Sequence, residues 1–129
     1  FTIANDEQQI IINKLKNNDI LVKSMFMFGN PEDNEDSIKD TISYSMKLSN
    51  QLVQYSVFTP YPGTPIFSHY ENKIIEKRYD KFNQYNLTFK HKNLDNKKIK
   101  TLKNYGYKKF YLRLKNLPII IKSGLSFFK

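Results

Sequence analysis

Not one cysteine occurs among the 129 residues. Disulfides, zinc fingers and thiolate-held metal clusters all need that sulfur, so none can form within this stretch, and a reducing compartment is permitted. The expected location is the cytoplasm. No apolar run approaches the roughly 18–20 residues that cross a bilayer as a helix. Arginine is nearly absent too, Arg78 and Arg113 being the only two. Its planar fork is the usual reader of base edges, so its scarcity argues against a nucleic-acid partner even at a net charge of +9 and a pI of about 9.6. The first residue is Phe1 and not methionine. With no charged leader ahead of an apolar stretch, that start is expected of a boundary inside a longer polypeptide.

What is present is the composition of a folded chain. Hydrophobic residues make up 40% and aromatics 15%, too apolar for a disordered segment, and the length suits one domain or part of a larger one. The charge is uneven: acidic residues gather in residues 31–40, residues 90–109 are mostly basic, and the terminal segment carries lysines alone. A lysine-biased solvated surface explains this more simply than a dedicated polyanion site. A stand-alone basic module for nucleic acid or anionic lipid is the rival reading from a different class.

Asn5, followed by Asp6, Glu7 and Gln8, has the chemistry of a helix cap, and Ile10, Ile11, Ile12 and Leu15 supply an apolar face up to the turn at Asn17-Asn18-Asp19. Residues 20–28 are nearly all apolar and stop at Gly29-Asn30-Pro31, which predicts a strand buried on both faces. A second cap is expected at Asp33 or Asn34, with Glu35 and Asp36 where the helix dipole favours anions. Ile38, Ile42, Ser45, Met46 and Leu52 continue one face of that helix. Residues 53–59 form the next strand, ahead of Pro60-Tyr61-Pro62-Gly63-Thr64-Pro65. Helix, strand, helix, strand is the pattern of parallel βα units, and two parallel strands alone leave edges that upstream strands should pair. Beyond Ile66 the character changes. Residues 86–91 suit a short extended segment, residues 95–117 a helix with Ile99, Leu102, Phe110 and Leu117 on one face, and Pro118 opens a last helix over 119–128. The division expected is residues 1–66 as βα units and residues 67–129 as a mainly helical extension.

Two segments carry the chemistry, each at the C-terminal end of a strand, where α/β barrels place function. The first is Met25-Phe26-Met27-Phe28-Gly29-Asn30-Pro31-Glu32-Asp33-Asn34-Glu35, in which the glycine admits close backbone approach of a ligand. The second is Tyr55-Ser56-Val57-Phe58-Thr59-Pro60-Tyr61-Pro62-Gly63-Thr64-Pro65, stiffened for a cavity wall by three prolines and a glycine within six residues. Together they resemble the fifth and sixth strands of the radical S-adenosylmethionine barrel. The likeness is closest to the branch that often carries an N-terminal cobalamin-binding domain, including the anaerobic magnesium-protoporphyrin ester cyclases. Arg78-Tyr79-Asp80-Lys81-Phe82 and Lys109-Phe110-Tyr111-Leu112-Arg113 are similar to that branch's C-terminal extension. The family's usual Gly-Glu-Thr after the proline is here Glu32-Asp33-Asn34, and Ser24 and Met27 stand where glycine and isoleucine or valine are commoner.

The resemblance implies a fragment of a partial (β/α) barrel followed by a helical extension. It implies an enzyme whose upstream part holds a [4Fe-4S] cluster on a three-cysteine loop, with S-adenosylmethionine on the open iron. One-electron reduction then yields a 5′-deoxyadenosyl radical that takes hydrogen from an organic substrate. It also implies that Met27, Phe28 and Gly29, with Phe58, Thr59 and Pro60, cradle the adenosyl portion. No residue here is expected to be catalytic or to ligate metal, and the use of cobalamin is left open. The implied partners are the upstream part of the same polypeptide, a small-molecule substrate and an electron donor. A transfer-RNA methylthiotransferase is the rival within the superfamily; its usual RNA-binding β-barrel is at odds with a helical, proline-opened tail.

His69 and His91 lie too far apart in different segments for a metal pair, so surface or hydrogen-bonding roles are expected. Glu32, Asp33, Glu35 and Asp36 are read as helix-start charge, and Tyr105, Tyr107, Phe110 and Tyr111 as aromatic packing. The segment 118–129 leaves open a membrane contact through a short amphipathic helix.

Overall fold

The computed structural model describes the backbone of residues 5–113 and the side chains of residues 7–113. The Asn5 side-chain cap, Leu117 and the helix expected over 119–128 lie outside the described residues. Helix α1, Asn5–Asn17, ends where Asp19 adopts φ 59, the left-handed conformation that short polar side chains tolerate. There the Ile20 amide donates to the Leu15 carbonyl at 3.0 Å and the Asp19 amide to Lys16 at 3.0 Å, satisfying the last turn. Of the face expected on α1, only Ile12 is buried, while Ile10 and Ile11 are exposed.

Strand β1 is Lys23–Phe28, and strand β2, Leu52–Val57, lies parallel to it with Lys23 opposite Leu52 and Phe28 opposite Val57. Between them runs helix α2, Glu35–Lys47. Asn34 caps it, accepting from the amides of Asp36 and Ser37 at 2.9 Å while Ser37 Oγ accepts from the Asn34 amide. Of the two caps expected, Asn34 is the one used, and Ser37 completes a reciprocal box with it that the sequence reading did not include. Ile38, Ile42 and Ser45 are buried as expected, but Leu52 begins β2 and does not continue the helix face. Pro65 starts a short helix α3, Pro65–Tyr70, which the proline-rich sequence did not suggest. Helix α4, Asn96–Tyr111, is capped by Asp95, whose carboxylate accepts the Lys98 amide at 2.7 Å.

One core joins these parts. Phe28, Val53, Tyr55 and Val57 from the sheet meet Ile38 and Ile42 of α2, Ile99, Leu102 and Phe110 of α4, and Leu87, Phe89 and Leu94 from the connection. Burial of this apolar surface is the main force holding the fold. Helix α4 seats closely because residue 106 is glycine: a Cβ there would come within 2.9 Å of Tyr55 and 3.1 Å of Ile42. Helices α2 and α4 therefore cover the same face of the sheet. The other face of β1 is open, with Met25 59% and Met27 50% exposed. That corrects the expectation of a strand buried on both faces, because among the described residues no element covers the second one. The structure is an α/β unit with a two-stranded parallel sheet. Among the described residues no helix is long and apolar enough to cross a membrane.

Candidate functional site

The phase of the ladder decides what each strand edge offers. Leu52 donates to Val22 at 3.1 Å and Phe58 to Phe28 at 2.8 Å. Parallel strands bond through alternate residues, so the even-numbered residues of both strands face the shared ladder and the odd-numbered ones face outward. On β2 every outward amide is satisfied by the extension. Val53 donates to the Tyr111 hydroxyl at 3.2 Å, Tyr55 to the Tyr107 hydroxyl at 3.1 Å, and Val57 to the Gln84 carbonyl at 2.8 Å. The Tyr111 hydroxyl also donates to the Val53 carbonyl at 3.0 Å, so it both accepts and donates as a neighbouring strand would. On β1 the outward groups of Lys23, Met25 and Met27 have no hydrogen-bond partner among the described residues.

The two expected site segments meet at the strand ends through that Phe58–Phe28 bond. Met27 projects from the open face of the sheet. Phe28 is fully buried on the helix side and stacks on Tyr55, ring centroids 4.9 Å apart. Gly29 has φ +78, and a Cβ there would stand 3.0 Å from Ile99 and 3.3 Å from Leu87. Glycine is thus demanded by backbone angle and by the helix-side core, and an added side chain would not point toward the open face. Phe58 is half-buried, with Tyr70 at 5.7 Å and Phe89 at 5.8 Å between ring centroids. The Thr59 hydroxyl lies 3.1 Å from the Val57 carbonyl and 3.0 Å from that of Asn83, and Pro60 is fully buried. Of the six side chains, Met27 alone is exposed on the open face, so any ligand here would meet Met27 and the strand-end backbone.

No protein-family model matches this sequence. Individual proteins do. It is similar to bacteriochlorophyllide d C-12(1)-methyltransferase of Chlorobaculum tepidum, 28% identical over 91 residues, covering 70% of this chain and 20% of the relative. An uncharacterised methyltransferase of Pyrococcus horikoshii is 29% identical over 94 residues, covering 71% of this chain and 20% of the relative. The anaerobic magnesium-protoporphyrin IX monomethyl ester cyclase of Cereibacter sphaeroides is 23% identical over 112 residues, 87% of this chain and 18% of the cyclase. The chain is a distant relative of enzymes. It spans about a fifth of the length of these relatives.

The charged groups near the site are structural. Asp33 Oδ2 accepts from the Asn30 amide at 2.9 Å and its Oδ1 from the Ser37 hydroxyl at 2.9 Å, so this carboxylate shapes the loop after β1. Glu35 is held below the usual carboxylate range by its hydrogen bond to Lys39 at 2.9 Å, with Lys98 at 3.8 Å adding a little. Among the described residues no three His, Asp or Glu side chains gather as a metal site would require. His69 Nδ1 lies 3.1 Å from the Pro65 carbonyl on the surface, and His91 is hydrogen-bonded on both ring nitrogens. Sequence reading had not assigned the hydroxyls of Tyr107 and Tyr111 to the edge of β2. Their four-residue spacing on one helix was the available signal.

Proposed function

We propose that this chain is one wall of the cofactor cleft of a radical S-adenosylmethionine enzyme, the rest of whose barrel and cluster belong to the preceding part of the polypeptide. The observation that carries the reading is the asymmetry of the sheet. Among the described residues it is finished on the β2 side and open, in both ladder and face, on the β1 side. A last barrel strand has that property, because strands need add from one direction only. Similarity to two methyltransferases and a cyclase supports an enzymatic origin of this kind.

The cluster itself does not fit this chain, which has no cysteine. Bound S-adenosylmethionine would supply the radical chemistry. This chain would hold its adenosyl portion with Met27 on the open face and the backbone at residues 27–29 and 58–60, an apolar slot with few polar contacts. Phe28, Pro60 and Thr59 would stiffen that backbone from behind.

The experiment is an equilibrium titration of the reconstituted full-length polypeptide with S-adenosylmethionine, wild type against Met27→Glu. A carboxylate set in an apolar slot should weaken binding by about tenfold or more while iron content is unchanged. A wild type that binds no S-adenosylmethionine, or a variant that binds as well as wild type, would defeat the reading. The chain alone, taken through anaerobic reconstitution, should remain colourless.

A further inference from the structure

The joint between the extension and the loop after β1 centres on an imidazole, with one asparagine amide beside it. His91 is 9% exposed. Its Nδ1 accepts from the amides of Asn93 at 3.1 Å and Leu94 at 3.2 Å, and its Nε2 lies 2.8 Å from the Asn30 carbonyl. Amides only donate and carbonyls only accept, so the bonds assign the tautomer: a lone pair on Nδ1 and the hydrogen on Nε2. Beside it, Asn93 Nδ2 donates to the Asp33 carbonyl at 3.0 Å. Asn30 is therefore held at both backbone groups, its amide by the Asp33 carboxylate and its carbonyl by His91 and by the Asp33 amide at 2.9 Å. It follows Gly29 directly, whose positive φ turns the chain away from β1.

We infer that His91 is a positioning residue for the cofactor wall at the end of β1, through which the extension sets the path of residues 29–33 without touching the cofactor. The inference rests on the cofactor reading above for its consequence and on the hydrogen bonds alone for its mechanism. The turn at residues 91–94 is fixed by Nδ1 and the loop by Nε2, so the two nitrogens can be separated by substitution. In His91→Asn the amide oxygen can stand in for Nδ1 but the side chain no longer reaches the Asn30 carbonyl, which keeps only the Asp33 amide; in His91→Gln the longer side chain can carry an N–H to about the place of Nε2.

The test measures two quantities on the full-length polypeptide: deuterium exchange across residues 29–33, and the dissociation constant for S-adenosylmethionine. His91→Asn should speed exchange in that loop and weaken cofactor binding by up to about tenfold, the value of one lost hydrogen bond, with the unfolding midpoint lowered only slightly and iron content unchanged. His91→Gln should return both toward wild type, a rescue that a purely structural role would not show. Unchanged exchange in His91→Asn, or faster exchange with unaltered cofactor affinity, would overturn the inference. Should His91→Asn fail to fold, Asn93→Ala is measured in the same way; it should loosen the same loop and weaken binding to a smaller degree, and no change in either would equally overturn it. If wild type binds no S-adenosylmethionine, the functional reading falls, and the exchange data still decide whether His91 holds the loop.

Discussion

Strands β1 and β2 have the same length and lie in register, yet their outer edges are treated in opposite ways. Along β2, two tyrosine hydroxyls and a loop carbonyl take the place of a neighbouring strand. Along β1, the outward amides meet nothing among the described residues, and the side chains on the open face include two half-exposed methionines. Exposed edges template pairing with other strands, so among the described residues the β1 edge is the one at which the sheet can be extended. The difference does not come from the strands' own propensity. It comes from what the extension delivers to each of them.

The most damaging way to break this contrast is to lift α4 from the sheet. Gly106→Leu places a branched side chain where even a Cβ would stand 2.9 Å from Tyr55. Overpacking of this kind costs about 3 kcal/mol or more, enough to unseat Tyr107 and Tyr111 and open β2 as well. Proteolysis between α4 and the sheet, together with aggregation measured by light scattering, should both rise sharply. A variant as resistant and monodisperse as wild type would show that α4 is not the seal.

Proline scanning of β1 sharpens the comparison. Ser24→Pro removes an amide from the shared ladder and should cost about 2–3 kcal/mol in urea unfolding. Met25→Pro removes an amide that points to the open edge, so it should cost far less in this chain. It should also suppress the self-association expected of the unpaired β1 edge, visible by analytical ultracentrifugation. Equal costs at the two positions would refute the ladder phase.

Smaller effects belong to the hydroxyls themselves. Tyr111→Phe strands both the amide and the carbonyl of buried Val53 and should cost about 1–3 kcal/mol, and Tyr107→Phe, which strands one amide, about 1 kcal/mol. Urea midpoints measure both, and the order is the critical result.

The smallest effect is one of pH. Burial raises the Tyr55 hydroxyl above its ordinary value of 10.0, while its 2.6 Å hydrogen bond with Ser45 works the other way. Below pH 10 both folded and unfolded states keep the proton. Above it the unfolded state releases a proton the folded state retains, so stability should fall as pH rises from there. In Tyr55→Phe that alkaline decline should be shallower; an identical slope would assign the decline to other tyrosines.

Much of this was legible in the chain because it depends on neighbours in sequence. The cap at Asn34, one of the two residues expected there, the helix faces of Ile38 with Ile42 and of Ile99 with Leu102 and Phe110, and the glycine stop after Phe28 are local chemistry, written within a few residues. So was the parallel βα order, which follows from the alternation of the two periodicities. The tertiary structure alone decided the rest. That Met25 and Met27 face outward, that the extension's tyrosines close one edge, and that His91 reaches the loop 61 residues away all depend on which surfaces come together in space. A run such as residues 20–28 reads the same whether one of its faces is covered or both, because hydrophobicity records what can be buried. Which element does the burying is a matter of long-range packing.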